Sequence, residues 1–382
     1  MLKTVQNKFK ELFNDLDNTR NFFSPGRVNI IGEHIDYNGG YVMPCAIDRG
    51  TYFVIRLNNT NTVRTYSMQF EDLGVVEFDV YDETHNKNYT DFVKGIIKIF
   101  DLHVGFDMVC CGTIPHSSGL SSSASFCTGL GFALSTLMNN PVANTALALA
   151  CKRVENEFMG VNSGIMDQFI IANGVDNGAL LLDCNTLKYE VIQFDLEDNV
   201  LVIANTNKKR LLADSKYNER RAECDAVLEI LKENGYNYSV LCEIDDVKMA
   251  ELMPLIKDEK LQRRFKHVVS ENVRTVKASE ALKNHDIKTL GKLLTASHMS
   301  LEKDYEVTGK ELDTLVHSFL AQEGCIGARM TGAGFGGCSI ALFKKGYEQK
   351  AIETVKAIYT KEIGYEPSFY EVLVSGGTRK LD

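Results

Sequence analysis

The chain has 382 residues, of which 44% are hydrophobic and 24% are charged, so it is long enough for roughly two globular domains of ordinary composition. Its formal net charge of -9 and its pI near 5.5 argue against a broad surface for nucleic acid or anionic lipid, because such surfaces need an excess of Lys and Arg. An anionic substrate would therefore need a local basic pocket or a metal ion.

The chain opens with a predicted amphipathic helix. Apolar residues recur at helical spacing with charged residues between them: Leu2, Val5, Phe9, Leu12, Phe13 and Leu16. Because charged residues interrupt it, the segment is unlike the apolar core of a signal peptide. No later apolar run is long enough to cross a bilayer. We therefore expect a soluble cytoplasmic protein, a monomer or weak oligomer, without nucleic-acid or membrane partners.

The cysteines indicate neither zinc nor a disulfide framework. Ten are scattered along the chain, Cys110 and Cys111 are adjacent, and no C-x-x-C pair occurs. We expect free buried thiols in a reducing compartment.

Polar residues and glycines are concentrated in residues 24–44, which read S-P-G-R-V-N-I-I-G-E-H-I-D-Y-N-G-G-Y-V-M-P. Pro25-Gly26 and Asn38-Gly39-Gly40 predict two turns, and the apolar run 28–31 predicts a short buried strand, so we expect the polar cluster in a loop at a strand end. Its charged or hydrogen-bonding side chains are Arg27, Glu33, His34 and Asp36. The carboxylates and the imidazole suit the hydroxyls of a small polyol, and the guanidinium suits an anion. The pattern predicts a sugar site beside a phosphate, with a solvated surface turn as the alternative.

The remaining predicted elements divide into a β-rich first half and a helix-rich second half. In the first half we predict strands at 41–47, 51–57, 63–67, 75–80 and 105–113, and helices at 91–100 and 142–158. In the second half we predict helices at 213–234, 259–284, 287–305 and 309–322, and a strand at 338–343. No Pro/Gly/Ser linker marks a boundary, so we place it near residue 200, which gives domains of 1–199 and 200–382.

A second stretch, H-S-S-G-L-S-S-S-A-S from 116 to 125, leads directly into an apolar helix. Backbone N–H groups at a helix N-terminus favour an anion, and the hydroxyls of Ser121, Ser122 and Ser123 add donors or a metal ligand. The stretch predicts a phosphate site, with ordinary helix capping by serine as the alternative. Neither a G-x-x-x-x-G-K-[ST] loop nor the H-R-D and D-F-G pair of protein kinases occurs in the sequence.

A third glycine-rich stretch, A-R-M-T-G-A-G-F-G-G from 328 to 337, precedes a strand rather than opening a helix. This position argues against a dinucleotide fingerprint. The stretch predicts a turn that lets the backbone approach another group closely, with a tight hairpin as the alternative.

These three stretches resemble, in the same order, the three motifs of the GHMP kinase superfamily, and the likeness extends over most of the chain. Within the superfamily, the first stretch, G-I-M-D-Q-F at 164–169 and S-K-Y-N-E-R-R at 215–221 resemble the galactokinase family. The resemblance implies an α+β fold of two domains, with a mixed-sheet N-terminal domain and a helix-rich α+β C-terminal domain. The active site would lie in the cleft between them.

The resemblance also implies ATP-dependent phosphorylation of α-D-galactose at its C1 hydroxyl, a reaction that needs alignment and charge neutralisation more than covalent chemistry. Asp167 would be the base that accepts the sugar hydroxyl proton, and Arg27 would lie beside it and stabilise the transferring phosphate. Because a neighbouring guanidinium weakens a carboxylate as a base, Asp167 would position the hydroxyl more than deprotonate it.

The matching family positions give the remaining expected ligands of sugar, nucleotide and metal. The sugar-binding residues would be Glu33, His34, Ile35, Asp36, Gly164 and Tyr217. The ATP-binding residues would be Ser67, Ser117, Ser118, Gly119, Leu120, Ser121, Ser122 and Ser123. Mg²⁺, a cofactor that prefers hard oxygen ligands and phosphates, would be held by Ser123 and Glu155. A packing role for Tyr217 and a solvated surface position for Glu155 are the alternatives.

Two other functions stay open at this point. A sister kinase acting on N-acetylgalactosamine or arabinose would differ in a few pocket side chains, and the wall that faces C2 of the sugar cannot be read from sequence. A non-catalytic sensor that binds ATP and sugar would also resemble the family, but the galactokinase-like inducers of yeasts lack the pair that stands here as Ser123-Ala124. The presence of that pair favours catalysis.

Overall fold

The computed structural model describes residues 1–115, 118–208 and 213–381, so Ser117, a predicted ATP-binding residue, lies outside the described residues. The elements of the first half are α1 (Leu2–Phe13), β1 (Arg20–Asn29), β2 (Tyr41–Val42), β3 (Pro44–Leu57), β4 (Thr62–Ser67), β5 (Val76–Asp79), α2 (Thr90–Ile99), β6 (Phe106–Gly112), α3 (Ser122–Leu137), α4 (Asn144–Arg153), α5 (Met166–Asn173), β7 (Gly178–Asp183) and β8 (Tyr189–Gln193). Those of the second half are β9 (Asn199–Asn205), α6 (Ala213–Glu233), α7 (Asp246–Leu252), α8 (Glu259–Lys283), α9 (Ile287–Ser300), α10 (Lys310–Leu320), β10 (Cys325–Thr331), β11 (Cys338–Lys344), α11 (Glu348–Ile363), β12 (Ser368–Tyr370) and β13 (Arg379–Lys380).

The described strands form three sheets. The largest has the order β13-β1-β3-β6-β4-β5, and it is mixed because β4 runs parallel to β6 while its other pairs are antiparallel. The second has the order β10-β11-β9-β12, and a small third sheet has the order β2-β7-β8. The predicted mixed sheet and helix-rich second half are confirmed. Strand β13, near the end of the chain, pairs with β1 and so belongs to the sheet of the first half. The division between residues 199 and 200 stays a prediction.

Helix α1 is amphipathic, as predicted. Val5, Phe9 and Phe13 are buried, and the helix packs against β3 and β6. All ten cysteines are free thiols, seven buried and three partly buried, which agrees with the sequence prediction. Across the described ranges, no helix is both long enough and apolar enough to span a bilayer.

Helix α3, which follows the serine-rich stretch, packs closely against β1 and β3. A Cβ atom at Gly129 would lie 2.4 Å from the ring of Phe53 and 2.7 Å from Cβ of Ser24, so only glycine allows this approach. The packing brings the start of the helix to β1, where the N–H of Arg27 donates to the carbonyl oxygen of Leu120 at 3.2 Å. The fold thereby joins the first two motifs.

Arg27 does not lie in a loop, contrary to the sequence prediction. It belongs to β1, and the predicted turn at Pro25 and Gly26 is a β-bulge where the register of the β1–β3 pair shifts. Gly26 is needed there because a Cβ atom would lie 2.8 Å from the carbonyl oxygen of Leu120. The separate strands predicted at 41–47 and 51–57 are also wrong in part, since most of both forms the single long strand β3.

Two predicted helices end in π-helical turns. Helix α4 is followed by Val154–Phe158, and α9 is followed by Leu301–Tyr305. A π turn widens the helix and changes the direction of its side chains, and such turns are frequent at functional sites. These two carry the buried residues Glu155 and Tyr305, which are considered below.

Candidate active site

Arg27 and Asp167, which are 140 residues apart in the chain, form a bidentate ion pair. Nε of Arg27 donates to Oδ1 of Asp167 at 2.7 Å, and Nη2 donates to Oδ2 at 2.8 Å. Nη1 donates to the carbonyl oxygen of Gly119 at 2.6 Å, and the hydroxyl of Ser121 donates to Asp167. Although burial opposes the change, Asp167 and Glu33 raise the pKa of Arg27. The structure therefore brings the predicted catalytic pair to the serine-rich turn.

Ser121 precedes α3 but does not cap it. Its backbone is left-handed, with a φ of 61°, and its side chain makes no bond to the first turn of the helix. The hydroxyl bonds Asp167 instead. Ser118 and Leu120 are buried, whereas Ser122 and Ser123 are exposed at the start of α3. Helix capping therefore does not explain this serine, and two further hydroxyls remain accessible at the helix N-terminus.

The third glycine-rich stretch is the hairpin turn between β10 and β11, and it contacts both other motifs. Gly332 has a φ of 86°, and a Cβ atom there would lie 2.8 Å from the carbonyl oxygen of Gly119. Its N–H donates to Oε1 of Glu33 at 2.7 Å. The stretch is thus a tight hairpin, and it also lets the backbone approach the serine-rich turn closely.

Glu33 is buried, and the protein holds both of its carboxylate oxygens. Oε2 accepts a hydrogen bond from Nδ2 of Asn29 at 2.9 Å. Oε1 accepts from Gly332 and lies 3.4 Å from Nη2 of the fully buried Arg329. Since each oxygen can accept more than one bond, the carboxylate has a fixed orientation and retains capacity for a ligand hydroxyl.

Asp36, Gly164 and Tyr217 bring together three distant segments. A Cβ atom at Gly164 would lie 1.8 Å from Oδ2 of Asp36, so glycine is required there. Burial raises the pKa of Asp36 to about 6, and the charge of Asp167 acts in the same direction. The ring of Tyr217 packs 5.3 Å from that of Tyr37, centroid to centroid, and burial raises the pKa of Tyr217. The ring of Tyr217 thus packs beside the candidate sugar residues.

Both ring nitrogens of His34 contact protein groups. Nδ1 lies 2.8 Å from the hydroxyl of Tyr37, and Nε2 lies 3.2 Å from the carbonyl oxygen of Ala333. Burial lowers the pKa of His34 to about 3, and its backbone is left-handed, with a φ of 62°. The neighbouring Ile35 is fully buried in the hydrophobic core, so only its backbone is left for a ligand.

Glu155 lies in the π turn after α4 and is only 8% exposed, which excludes a solvated surface carboxylate. Its Oε2 accepts from the hydroxyl of Ser163 at 3.0 Å, whereas Oε1 has no hydrogen-bond partner among the described residues. Burial raises the pKa of Glu155 to about 7, Asp167 adds to the rise, and the nearby Ser123 opposes it. A buried carboxylate oxygen without a partner beside a serine hydroxyl fits a hard divalent cation such as Mg²⁺.

A second group of potential metal ligands joins α9, its π turn and α10. Ligand atoms of His298, Glu302 and His317 lie within 4.8 Å of one another. The N–H of Met330 donates to Nδ1 of His298 at 3.3 Å, and burial lowers the pKa of His298 to about 3. The neutral ring therefore carries its proton on Nε2, the atom that faces Glu302 at 4.0 Å. Because this ring offers the group a proton rather than a lone pair, we assign no metal to it.

A cavity of about 780 Å³ opens beside Ser122 and Ser123. Ser67, at the end of β4, lines it, together with the apolar and aromatic residues Phe70, Leu73, Tyr89, Phe92 and Phe126. The rings of Phe70 and Tyr89 are stacked with centroids 5.6 Å apart. The sequence analysis predicted Ser67 but missed the apolar and aromatic lining residues, because they form no motif and resemble ordinary core positions. The cavity has the size and the lining of a small-molecule pocket that continues from the serine-rich turn.

Comparison with known proteins assigns the chain to a family. The galactokinase galactose-binding signature matches residues 7–57, the N-terminal domain of GHMP kinases matches 91–175, and their C-terminal domain matches 278–361. The galactokinase of Clostridium acetobutylicum is 47% identical over 390 residues, which cover all of both chains. This chain belongs to the galactokinase family of GHMP kinases. The Streptococcus thermophilus galactokinase, 47% identical over 386 residues and 99% of each chain, agrees with this membership.

Solved structures support the same membership. The Lactococcus lactis galactokinase, complexed with galactose, matches with a TM-score of 0.97 and 43% identity over all of both chains. The Methanococcus jannaschii mevalonate kinase matches with a TM-score of 0.64 and 21% identity, over 94% of this chain and 99% of that one, and so shares the fold alone. The predicted GHMP kinase fold is confirmed, and this member of the galactokinase family is a phosphotransferase.

Proposed function

We propose that this protein transfers the γ-phosphoryl group of ATP to the C1 hydroxyl of α-D-galactose, giving galactose 1-phosphate and ADP. The observation that carries the proposal is the Arg27–Asp167 pair, which lies between the candidate sugar residues and the serine-rich turn. Full-length relatives named galactokinases, and a relative solved with galactose, support this substrate.

Asp167 would hold the C1 hydroxyl as it attacks the phosphorus atom. Two bonds from Arg27 and one from Ser121 fix the orientation of the carboxylate before a sugar arrives. Alignment of the hydroxyl would be the larger contribution of this fixed carboxylate. The hydroxyl proton would pass to Asp167 while the oxygen–phosphorus bond forms.

Arg27 would stabilise the negative charge of the transferring phosphoryl group. Its guanidinium is buried and permanently charged, and it donates hydrogen bonds to Asp167 and to the carbonyl oxygen of Gly119. A charge that is already oriented at the reacting centre need not reorganise during the reaction. The proposal therefore gives this ion pair two tasks, one toward the sugar and one toward the phosphate.

Glu155 and Ser123 would hold Mg²⁺ together with the phosphates of ATP. Hard carboxylate and hydroxyl oxygens suit this ion, and the partnerless Oε1 of Glu155 supports the assignment. When bound, the ion would neutralise charge on the β- and γ-phosphates. Since the pKa of Glu155 is about 7, binding near neutral pH would also displace a proton from its carboxyl group.

ATP would place its base in the aromatic cavity and its phosphates at residues 118–123. Flat rings such as Tyr89 and Phe126 suit stacking against a heterocycle, and Ser67 would contribute a hydroxyl at the cavity wall. Galactose would lie on the other side of Asp167. Its hydroxyls would meet Asp36, Gly164 and Tyr217 from one direction and Glu33 from another.

A panel of free sugars tests the function. Purified protein is assayed with ATP, Mg²⁺ and galactose, N-acetylgalactosamine, arabinose or glucose, and ADP formation is followed by a coupled reaction. We expect galactose to give the highest kcat/KM and the phosphate to be found on C1. Turnover only with N-acetylgalactosamine or arabinose would assign a sister kinase, and binding of ATP and sugar without turnover would assign a sensor.

Three further expectations remain part of the proposal: a cytoplasmic location, a monomer or weak oligomer, and domains of 1–199 and 200–382. Light scattering after gel filtration measures the oligomeric state directly. Limited proteolysis checks the division, because cleavage between two such domains would be expected at residues 194–198, which precede β9 and are partly or fully exposed.

A further inference from the structure

A buried chain of side-chain hydrogen bonds ends on the ring of His34. Nδ2 of Asn38 lies 3.6 Å from Sγ of Cys224, and that sulfur lies 3.1 Å from the hydroxyl of Tyr305. The Tyr305 hydroxyl lies 2.8 Å from that of Tyr37, which lies 2.8 Å from Nδ1 of His34. The five side chains come from three segments that are far apart in the sequence, namely 34–38, Cys224 and Tyr305, so the chain exists only in the folded protein.

The direction of each bond follows from the His34 end. The carbonyl oxygen of Ala333 can only accept, so Nε2 of His34 carries a proton. Burial lowers the pKa of this ring to about 3, so the ring is neutral and Nδ1 accepts. The single proton of Tyr37 goes to Nδ1, and Tyr37 must therefore accept from Tyr305. The proton of Tyr305 is then used as well, and Cys224 donates to it.

The bonds connect the segments that surround the candidate sugar residues. Tyr37 follows Asp36 in a short 3₁₀ turn, and Cys224 lies on α6, the helix that also carries Tyr217. At the His34 end of the hydrogen-bond chain, Ala333 follows Gly332, whose N–H donates to Glu33. One continuous chain thus joins the segments of Asp36, Tyr217 and Glu33, which the proposed function assigns to the sugar.

Protein groups already contact the ring of His34 on both of its nitrogens. Its side chain is buried, the residue is 4% exposed, and both nitrogens have protein partners. A sugar hydroxyl would reach a ring nitrogen only by displacing Tyr37 or Ala333. The ring also packs against Tyr217 and Tyr305, with centroids 5.4 Å and 5.0 Å away. The ring of His34 is therefore suited to support the neighbouring residues of the sugar site.

On the basis of the proposed function, we propose that Tyr37 and Tyr305 are positioning residues for the sugar, which act through His34 to hold Asp36, Tyr217 and the turn at Ala333 in place. The left-handed backbone of His34 is a conformation that needs such support, since a non-glycine residue rarely adopts it. A pocket that is ordered before binding loses less conformational freedom when the sugar enters. The bonds would therefore contribute to sugar affinity without touching the sugar.

Two single hydroxyl deletions test this role. Tyr37→Phe leaves Nδ1 of His34 as a buried acceptor without a donor, and we expect the KM for galactose to rise roughly tenfold. Tyr305→Phe leaves the Tyr37–His34 bond in place, so its rise should be smaller, about threefold. The KM for ATP should stay within about twofold of wild type in both. Calorimetric titration with galactose alone should show the same loss of affinity, without any contribution from catalysis.

Tyr359→Phe is the matched control. The Tyr359 hydroxyl is also buried and donates to the carbonyl oxygen of Thr206 at 2.6 Å, but this contact belongs to the core of the second half. Its removal should lower the melting temperature as much as Tyr305→Phe does and leave the KM for galactose unchanged. If all three variants have wild-type galactose affinity, the positioning role is rejected.

The deduced direction of the bonds gives an independent test. Cys224→Ser keeps a donor for Tyr305 and Cys224→Ala does not, so the serine variant should have the lower KM for galactose. Nitrogen NMR of the His34 ring should find the proton on Nε2, and a proton on Nδ1 would overturn the deduced chain. If wild-type protein binds ATP but does not phosphorylate galactose, the proposed function fails instead. The ring measurement needs no sugar and still decides the hydrogen-bond chain.

Discussion

The candidate ligand-binding side chains at the two ends of the active site differ in how completely other protein groups satisfy them. At the sugar end, both carboxylate oxygens of Glu33 and both ring nitrogens of His34 have protein partners. At the proposed metal end, Oε1 of Glu155 has none within the described part of the chain. An unpaired buried polar atom is costly unless a water molecule, an ion or a ligand completes its hydrogen bonding. The side chains of Glu33 and His34 are thus oriented in advance, whereas Glu155 keeps one oxygen available for a ligand such as the proposed ion.

The largest effect should come from the residue between the two ends. Asp167→Asn keeps the shape of the side chain but removes the negative charge that Arg27 holds and the proton acceptor for the sugar. We expect kcat to fall by ~10²-fold or more, the range of general-base contributions, with little change in the KM for galactose. Steady-state kinetics on both substrates measures this. A kcat near wild type would show that another group accepts the proton.

The next effect should be confined to the sugar end. In Gly164→Ala the new methyl group would lie 1.8 Å from Oδ2 of Asp36, so the carboxylate must move. We expect the KM for galactose to rise by about tenfold or more and the KM for ATP to change little, because only the sugar contact is displaced.

Gly160→Ala serves as the control for this substitution. Gly160 lies in the same connecting segment, and no atom lies within 4 Å of a Cβ placed there, although its φ of 75° adds backbone strain. If both alanine variants raise the KM for galactose equally, general distortion of the segment explains the effect. The specific contact with Asp36 would then lose its support.

Much of the candidate site could be predicted because its chemistry lies in short strings. Arg27, Asp167 and Ser121 were singled out from three separate glycine-rich or acidic motifs, and the structure brings their side chains into contact. Motifs of this kind require particular residue types at fixed spacing, so they are visible without a fold. Their assigned roles stay predictions until the variants are measured.

Other features could not be predicted because they depend on packing between distant residues. The bond between Tyr37 and Tyr305 joins positions 268 apart, and no local pattern distinguishes these tyrosines from ordinary core residues. The β-bulge at Gly26 was mistaken for a turn, since Pro and Gly mark both. The bulge is favoured here by the Leu120 carbonyl oxygen, which comes from a different segment. Likewise, the sequence did not reveal that Glu155 is buried in a π turn.

At the metal end, Glu155→Gln should raise the Mg²⁺ concentration needed for half-maximal activity by about tenfold, since it removes a charged ligand. A magnesium titration at saturating galactose and fixed ATP measures the change. Glu157→Gln is the matched control, because Glu157 lies in the same π turn but is exposed and paired with Arg153. If the half-maximal Mg²⁺ concentration rises equally in both variants, Glu155 does not bind the ion.

The smallest expected effect is on the pH dependence of stability in the absence of metal. It is measured by comparing the wild-type protein with the Glu155→Gln variant. Burial raises the pKa of Glu155 from 4.5 to about 7 in the folded state, so its stabilising contribution is complete below the unfolded value and is lost as the pH rises through about 7. As the pH rises from 5 to 8, the melting temperature of wild type should therefore decrease relative to that of Glu155→Gln. The decrease should correspond to a loss in the free energy of unfolding on the order of 1–3 kcal/mol. The raised pKa of Asp36 and the lowered pKa values of the buried histidines are common to both proteins and cancel in this difference. Mg²⁺ with a non-hydrolysable ATP analogue should remove the fall, because the ion stabilises the ionised carboxylate. If the difference in melting temperature stays constant over this pH range, Glu155 has an ordinary pKa. Burial then does not make its ionised form costly in the folded protein.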